Sequence, residues 1–296
     1  MFADAYELAS KFAQPLVVSA RLQDGTVQSS VGTFVILNRD GWVLTAAHLV
    51  EVLRAHQQHS KRIAEYEQRQ AALEAAQSKN EAEARRLREL SQVTKPNPKW
   101  ITNCALWWGR DGITHSEIVG FPAADLAAVR LEPFEPDQVE AYPVMKDPSK
   151  LRFGTSLCRL GFPFHSVATS FDETTGGFTI DSSAIPFPRF PIEGIYTRNV
   201  ILRKADDTEL GVKFLETSSP GLRGQSGGPV FDTEGTVWAI QAKTKHLDLG
   251  FKPTIETEDG KQIEESQFLS VGWGVHPDTI TAFLRDNDIA FQLSDY

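Results

Sequence analysis

The chain has 296 residues, 41% hydrophobic and 23% charged, a balance suited to one large globular domain or two smaller ones. Thirty Lys and Arg against 39 Asp and Glu give a net charge of −9, which argues against a non-specific nucleic-acid binder held by phosphate contacts. No apolar run is long enough to span a membrane, the N-terminus lacks the basic-then-apolar pattern of a secretory signal, and two cysteines (Cys104 and Cys158) exclude a disulfide framework, so a reducing, cytoplasmic setting is expected.

In chain order, short runs rich in β-branched and aromatic residues fall at 33–37 and 42–45, bracketed by the turn pairs Asp24-Gly25 and Asp40-Gly41. From 50 to 93 there is neither Gly nor Pro, and Ala, Glu, Gln, Arg and Leu dominate, so this stretch is expected to be helical. It forms either one helix of roughly 65 Å at about 1.5 Å per residue or a helical hairpin broken near Ser78-Lys79-Asn80. A partial seven-residue seam through Ile63, Tyr66, Leu73, Ala84 and Leu87 is interrupted by Gln70, Gln77 and Asn80, a poor coiled coil. The insertion is therefore either a solvated helix lying on the rest of the molecule or a docking arm for another protein. His56 and His59 are expected on its solvated face. Pro96-Asn97-Pro98 ends the helical stretch.

Further strands are expected at 105–108, with one ring of Trp107-Trp108 facing inward and the other outward, and at 114–121, 127–131, 156–160, 237–242 and 268–275. Asp111-Gly112 and Asp259-Gly260 mark two more turns. A short helix at 279–285 closes the pattern, with Ile280, Phe283 and Leu284 on one face. Many short strands at close spacing point to an all-β sandwich or barrel rather than a parallel α/β sheet. The seven histidines show no metal-binding spacing, and no cofactor motif is present.

Three segments carry chemistry: Thr45-Ala46-Ala47-His48, Asp125-Leu126-Ala127-Ala128-Val129 and Gly224-Gln225-Ser226-Gly227-Gly228-Pro229-Val230. Singly, each is an ordinary strand end, turn or flexible loop. Together they supply what a serine nucleophile needs. An imidazole removes the hydroxyl proton, a carboxylate fixes the imidazole tautomer, and glycine-flanked backbone N–H groups can converge on an oxyanion.

In that order the three motifs resemble the chymotrypsin-like serine peptidases, and most closely the bacterial HtrA/Deg type. The likeness extends to Val31-Gly32-Thr33-Phe34-Val35, to 154–164 and to 234–240. The resemblance implies two six-stranded antiparallel β-barrels (about 14–49 with 100–145, and 150–275) in a single peptidase domain, an inserted helix or helical hairpin at 50–95 and a C-terminal helix at 277–287. It implies His48 as general base, Asp125 as its orienting partner and Ser226 as nucleophile. The oxyanion hole would come from the Gly224 and Ser226 amides, with Gln225 shaping the turn. Substrate would pair with the strand Gln241, Ala242, Lys243, Thr244.

Many secreted members have Asp where Gln225 stands, so charge-driven zymogen activation is not expected. The 70 residues after Ser226 leave no room for a PDZ domain. Arg223 and Lys243 read either as surface cations, the plainer reading, or as receivers of an acidic substrate side chain. The expected activity is cleavage of protein or peptide substrates, gated by a regulatory partner through 50–95. The alternative is a catalytically silent scaffold that binds protein.

Overall fold

The computed structural model describes residues 1–77, 95–165, 167–202, 211–256, 259 and 261–296. Its first sheet comprises β1 (Ala13–Leu22), β2 (Val27–Ile36), β3 (Trp42–Thr45), β4 (Ile101–Trp107), β5 (Thr114–Phe121) and β6 (Leu126–Glu132). Their order is β4-β1-β2-β3-β6-β5, antiparallel throughout. β2 turns into β3 at Asp40-Gly41, where Gly41 has φ +81° and a side chain would sit tightly against Phe134, at 3.0 Å. Leu16, Phe34, Leu44 and Val129 are buried within the sheet's curl.

The second half contains β7 (Val144–Met145), β8 (Ser156–Gly161), β9 (Thr169–Asp172), β10 (Gly177–Ile180), β11 (Phe190–Leu202), β12 (Val212–Thr217), β13 (Pro229–Phe231), β14 (Val237–Asp248), β15 (Thr254–Glu256), β16 (Gln262–Glu264), β17 (Phe268–Val275) and β18 (Gln292–Leu293). Six of these close into a ring, β13-β8-β11-β12-β17-β14, because β13 pairs with both β8 and β14. Each of the six strands therefore has a partner on both sides over at least part of its length, which is what makes a small barrel self-sufficient. β7 and β18 add in parallel beside β14, while β9–β10 and β15–β16 form separate hairpins. The two-barrel, chymotrypsin-like all-β fold is thus present, and one continuous core runs from Leu16 and Phe34 to Phe214, Phe231 and Val275.

Among the described residues, three α-helices flank the barrels. α1 (Ala3–Phe12), which the sequence reading did not anticipate, buries Ala5, Ala9 and Phe12, and the Phe2 ring ahead of it meets Phe231 edge-on at 6.3 Å. α2 (Ala47–Gln77) starts three residues before the expected boundary at 50, so His48 rides its first turn. It is unbroken to Gln77, while the proposed break at 78–80 and the seam positions Ala84 and Leu87 lie outside the described residues.

The expectation of a solvated face for His56 and His59 is corrected. His56 Nε2 lies 2.8 Å from the Thr102 carbonyl, and His59 Nδ1 accepts the Ile101 N–H at 3.0 Å. The His59 ring also stacks on Trp100. The two imidazoles bind the helix to β4. Trp107 and Trp108 divide as expected, Trp108 buried and Trp107 half-exposed with its N–H on Asp111. α3 (Pro277–Asp286) buries Ile280, Phe283 and Leu284 and is capped by His276, whose imidazole accepts the Asp278 N–H.

Candidate active site

His48 and Asp125 are brought together by the β3–β6 ladder. Thr45 pairs with Ala127, so the residues just past β3 face those just before β6. A single 3₁₀ turn, Pro122–Ala124, delivers Asp125 in the left-handed region at φ 57°, which Asp tolerates better than most residues. Its carbonyl accepts the Ala47 N–H at 3.2 Å. Its carboxylate accepts the His48 backbone N–H at 3.0 Å and meets Nδ1 at 2.9 and 3.0 Å. Since a carboxylate only accepts, Nδ1 carries the proton and Nε2 is left as a base. The Asp125 side chain is 19% exposed and that of His48 46%, so the imidazole opens to solvent over a sheltered carboxylate.

The turn bearing Ser226 is pinned between the barrels. Thr33 on β2 donates its N–H to the Ser226 carbonyl at 2.8 Å and its hydroxyl to the Gly224 carbonyl at 2.7 Å. Thr33 in turn accepts the Thr45 hydroxyl at 2.7 Å, three residues before His48. Gly224 and Gly227 have φ +94° and +82°. A side chain at Gly227 would overlap the Thr33 carbonyl, the Thr45 hydroxyl and the Ala46 nitrogen.

The three residues expected at the oxyanion hole divide. Among the described residues, the N–H groups of Gly224 and Ser226 have no protein partner, whereas Gln225 spends its own on the Leu222 carbonyl at 3.0 Å. Gln225 acts through its buried carboxamide, which accepts the Leu222 N–H at 3.0 Å and donates to the Phe190 carbonyl at 3.1 Å. Two free donors and one braced turn are therefore in place. Among the described residues no hydrogen bond joins the Ser226 hydroxyl to the His48 ring.

Gln241, Ala242, Lys243 and Thr244 lie on β14, paired on one side with β17 through Gln241↔Gly274, Lys243↔Trp273 and Thr244↔Gly272, with Ala242 at a bulge. On the other side β13 stops at Pro229↔Ile240, and no described strand covers the edge beyond it. Such an edge can take an extended peptide. The reading of Lys243 as a surface cation is corrected. It is half-buried, with its ammonium 4.5 Å from the Phe214 ring centroid, and burial pulls its pKa down against the nearby Asp125 carboxylate. Arg223 is exposed.

One residue the sequence reading passed over stands beside this site. Arg159, on β8, is 1% exposed. Its Nη1 donates to the Pro220 carbonyl at 2.8 Å and its Nη2 to the Thr217 hydroxyl. The available signal was a lone cation inside the apolar run Ser156-Leu157-Cys158-Arg159-Leu160.

Residues 32–240, most of the chain, match the family described as trypsin-like peptidase domain. Among solved structures, the Rv3671c protease from M. tuberculosis in its active form is 13% identical, with a TM-score of 0.48 and coverage of 98% of this chain and 86% of that one. The HtrA-type protease AlgW with a tripeptide is 15% identical, with a TM-score of 0.46, and 98% of this chain spans 65% of that one. No curated protein matches the sequence significantly. The family match covers both the histidine segment at the end of β3 and the glycine-flanked serine turn. The chain belongs to the trypsin-like peptidase family.

Proposed function

We propose that the chain is a serine endopeptidase with His48, Asp125 and Ser226 as its triad. The observation that carries this is the Asp125 carboxylate on Nδ1 of His48, beside a serine turn with two unpaired amides. Ser226 Oγ attacks the scissile carbonyl while Nε2 of His48 takes the hydroxyl proton. The Gly224 and Ser226 amides hold the oxyanion. The C–N bond then breaks as the imidazolium returns the proton to the leaving amine. Water, activated by the same imidazole, releases the acyl group and restores the serine. The open edge at Ala242–Thr244 would align the substrate backbone.

The activity is gated through α2, in this reading. The helix contains His48 and is tied to β4 by His56 and His59, so a partner that tilts it moves the base. The two unpaired thiols suit a cytoplasmic enzyme. Silent scaffolding is the second reading, favoured by the missing hydrogen bond between Ser226 and His48.

Fluorophosphonate labelling of wild type and Ser226→Ala decides between them. Labelling lost in the variant supports the peptidase. A folded wild type that stays unlabelled in buffer and in cell lysate supports the scaffold. Deletion of 50–93 tests the gating, and unchanged activity with unchanged partner dependence would reject it.

A further inference from the structure

Arg159 is a buried cation without a buried anion. Nη1 reaches the Pro220 carbonyl at 2.8 Å, the Ser219 hydroxyl at 3.4 Å and the Ser219 carbonyl at 3.5 Å, and Nη2 the Thr217 hydroxyl. Nε has no partner, and no ion pair among the described residues includes this guanidinium. Carbonyl and hydroxyl dipoles satisfy geometry but supply no net negative charge, and burial of an unbalanced charge is unfavourable. Burial brings its pKa down to about 10.

Its position gives that charge a use. Ser219 and Pro220 lead straight into the segment Gly221-Leu222-Arg223-Gly224, which ends at the oxyanion turn. Across from this segment runs the open strand edge, and the Thr244 hydroxyl bridges the two by donating to the Gly221 carbonyl at 2.5 Å. Gly272 pairs with Thr217 on one side and Thr244 on the other, and a side chain there would run into Arg159 Nη2 and the Ser219 carbonyl. The guanidinium therefore lies against Gly272, beside the seam where 221–224 meets 241–244.

Gln241 fills that seam. A side chain on Gly221 would meet its carboxamide, whose Nε2 donates to the Lys243 carbonyl while the buried Oε1 has no partner. The groups that meet there, among the described residues, are a guanidinium, a carboxamide and the hydroxyls of Thr217, Ser219 and Thr244.

We infer that Arg159 is the floor of the specificity pocket, and that the enzyme cleaves after aspartate or glutamate. This rests on the peptidase reading above. A substrate side chain lying between 221–224 and 241–244 points down at Arg159. A carboxylate there supplies the missing negative charge and matches the planar fork of the guanidinium. Turning the Gln241 carboxamide aside admits the side chain and offers it a further donor.

The test uses the full chain and peptidyl diphenyl phosphonates identical except for glutamate, glutamine, alanine or lysine side chains at the position before the reactive phosphorus. The readout is the rate of covalent modification of Ser226. The glutamate probe is expected to react at least about tenfold faster than its glutamine isostere, because the pocket's charge is matched only by the former. In Arg159→Met that ratio is expected to fall to about one. If Arg159→Met does not fold, the wild-type profile decides alone. Equal rates for glutamate and glutamine, or a fastest reaction with alanine or lysine, overturn the inference. If a generic fluorophosphonate still labels Ser226 in that case, the peptidase reading stands. If no probe labels Ser226, both fall.

Discussion

Asp125 holds His48 at two places at once: one carboxylate oxygen accepts the backbone N–H at 3.0 Å, and both lie within 3.0 Å of Nδ1. The first bond fixes where α2 begins and the second fixes which ring nitrogen carries the proton, so ring position and ring tautomer share one support. Asp125→Asn separates them. The amide oxygen can keep the backbone bond, but Nδ1 then either loses an acceptor or faces an N–H, which favours the wrong tautomer. A fall in kcat/KM of about 10³–10⁴ is expected, with a melting temperature close to wild type. A loss below about tenfold would show that the imidazole is oriented by something else.

Gly227 is where the serine turn meets the first barrel. With φ +82° and no room for a methyl group beside the Thr33 carbonyl and Ala46 nitrogen, Gly227→Ala combines left-handed strain with a backbone collision. A destabilisation of about 2–4 kcal/mol is expected, read as a lowered urea midpoint with unchanged slope. Tolerance within about 0.5 kcal/mol would mean the turn and β2 are free to separate.

Strands bounded by turn residues were legible in the sequence: Trp42–Thr45, Thr114–Phe121 and Phe268–Val275 occur as read. There an Asp-Gly pair or a proline interrupts the pattern and the side-chain period does the rest. α1 was not legible, because its buried residues Ala5, Ala9 and Phe12 run directly into β1 at Ala13 with no glycine or proline between, and its N-terminus has no side-chain cap. His56 and His59 are polar residues on a polar helix, and only the docking of β4 and Trp100 makes them anchors. Arg159 escaped for the same reason. Its partners Thr217, Ser219 and Pro220 arrive about sixty residues later in the chain, so local pattern carries no trace of them.

Gln225 braces the turn that carries Ser226 with one acceptor and one donor, in a side chain that is fully buried. Gln225→Glu keeps the shape but loses the donor, and sets a carboxylate against the Phe190 carbonyl. Burial and that repulsion raise the new carboxyl's pKa in the folded state above its unfolded value. The protonated acid can still donate, so the variant is expected to be near wild type at low pH. It loses stability relative to wild type as pH rises beyond about 4.3, the ordinary glutamate value. Thermal melts of both proteins from acid to neutral pH measure the difference. A constant gap across that range would mean the carboxamide's donor has no role.

His276 sets a second pH dependence, of known sign. It is 2% exposed, caps α3 by accepting the Asp278 N–H at 3.1 Å, and its Nε2 has no partner among the described residues. Burial lowers its pKa from 6.5 to about 4, with the Asp278 carboxylate opposing and Lys213 assisting. Between those values the unfolded chain binds a proton that the folded protein refuses. Folded stability is therefore unaffected by this group above its ordinary value of 6.5, and declines as pH falls from there towards 4. The full loss is on the order of 3 kcal/mol, from about 1.4 kcal/mol per pKa unit. Protonation of Nδ1 would also remove the acceptor that caps the helix. His276→Asn keeps a capping acceptor and removes the titration. Denaturant midpoints compared pairwise between pH 7 and 4 should show the variant losing less stability than wild type. Parallel losses would assign the acid sensitivity to the carboxylates instead.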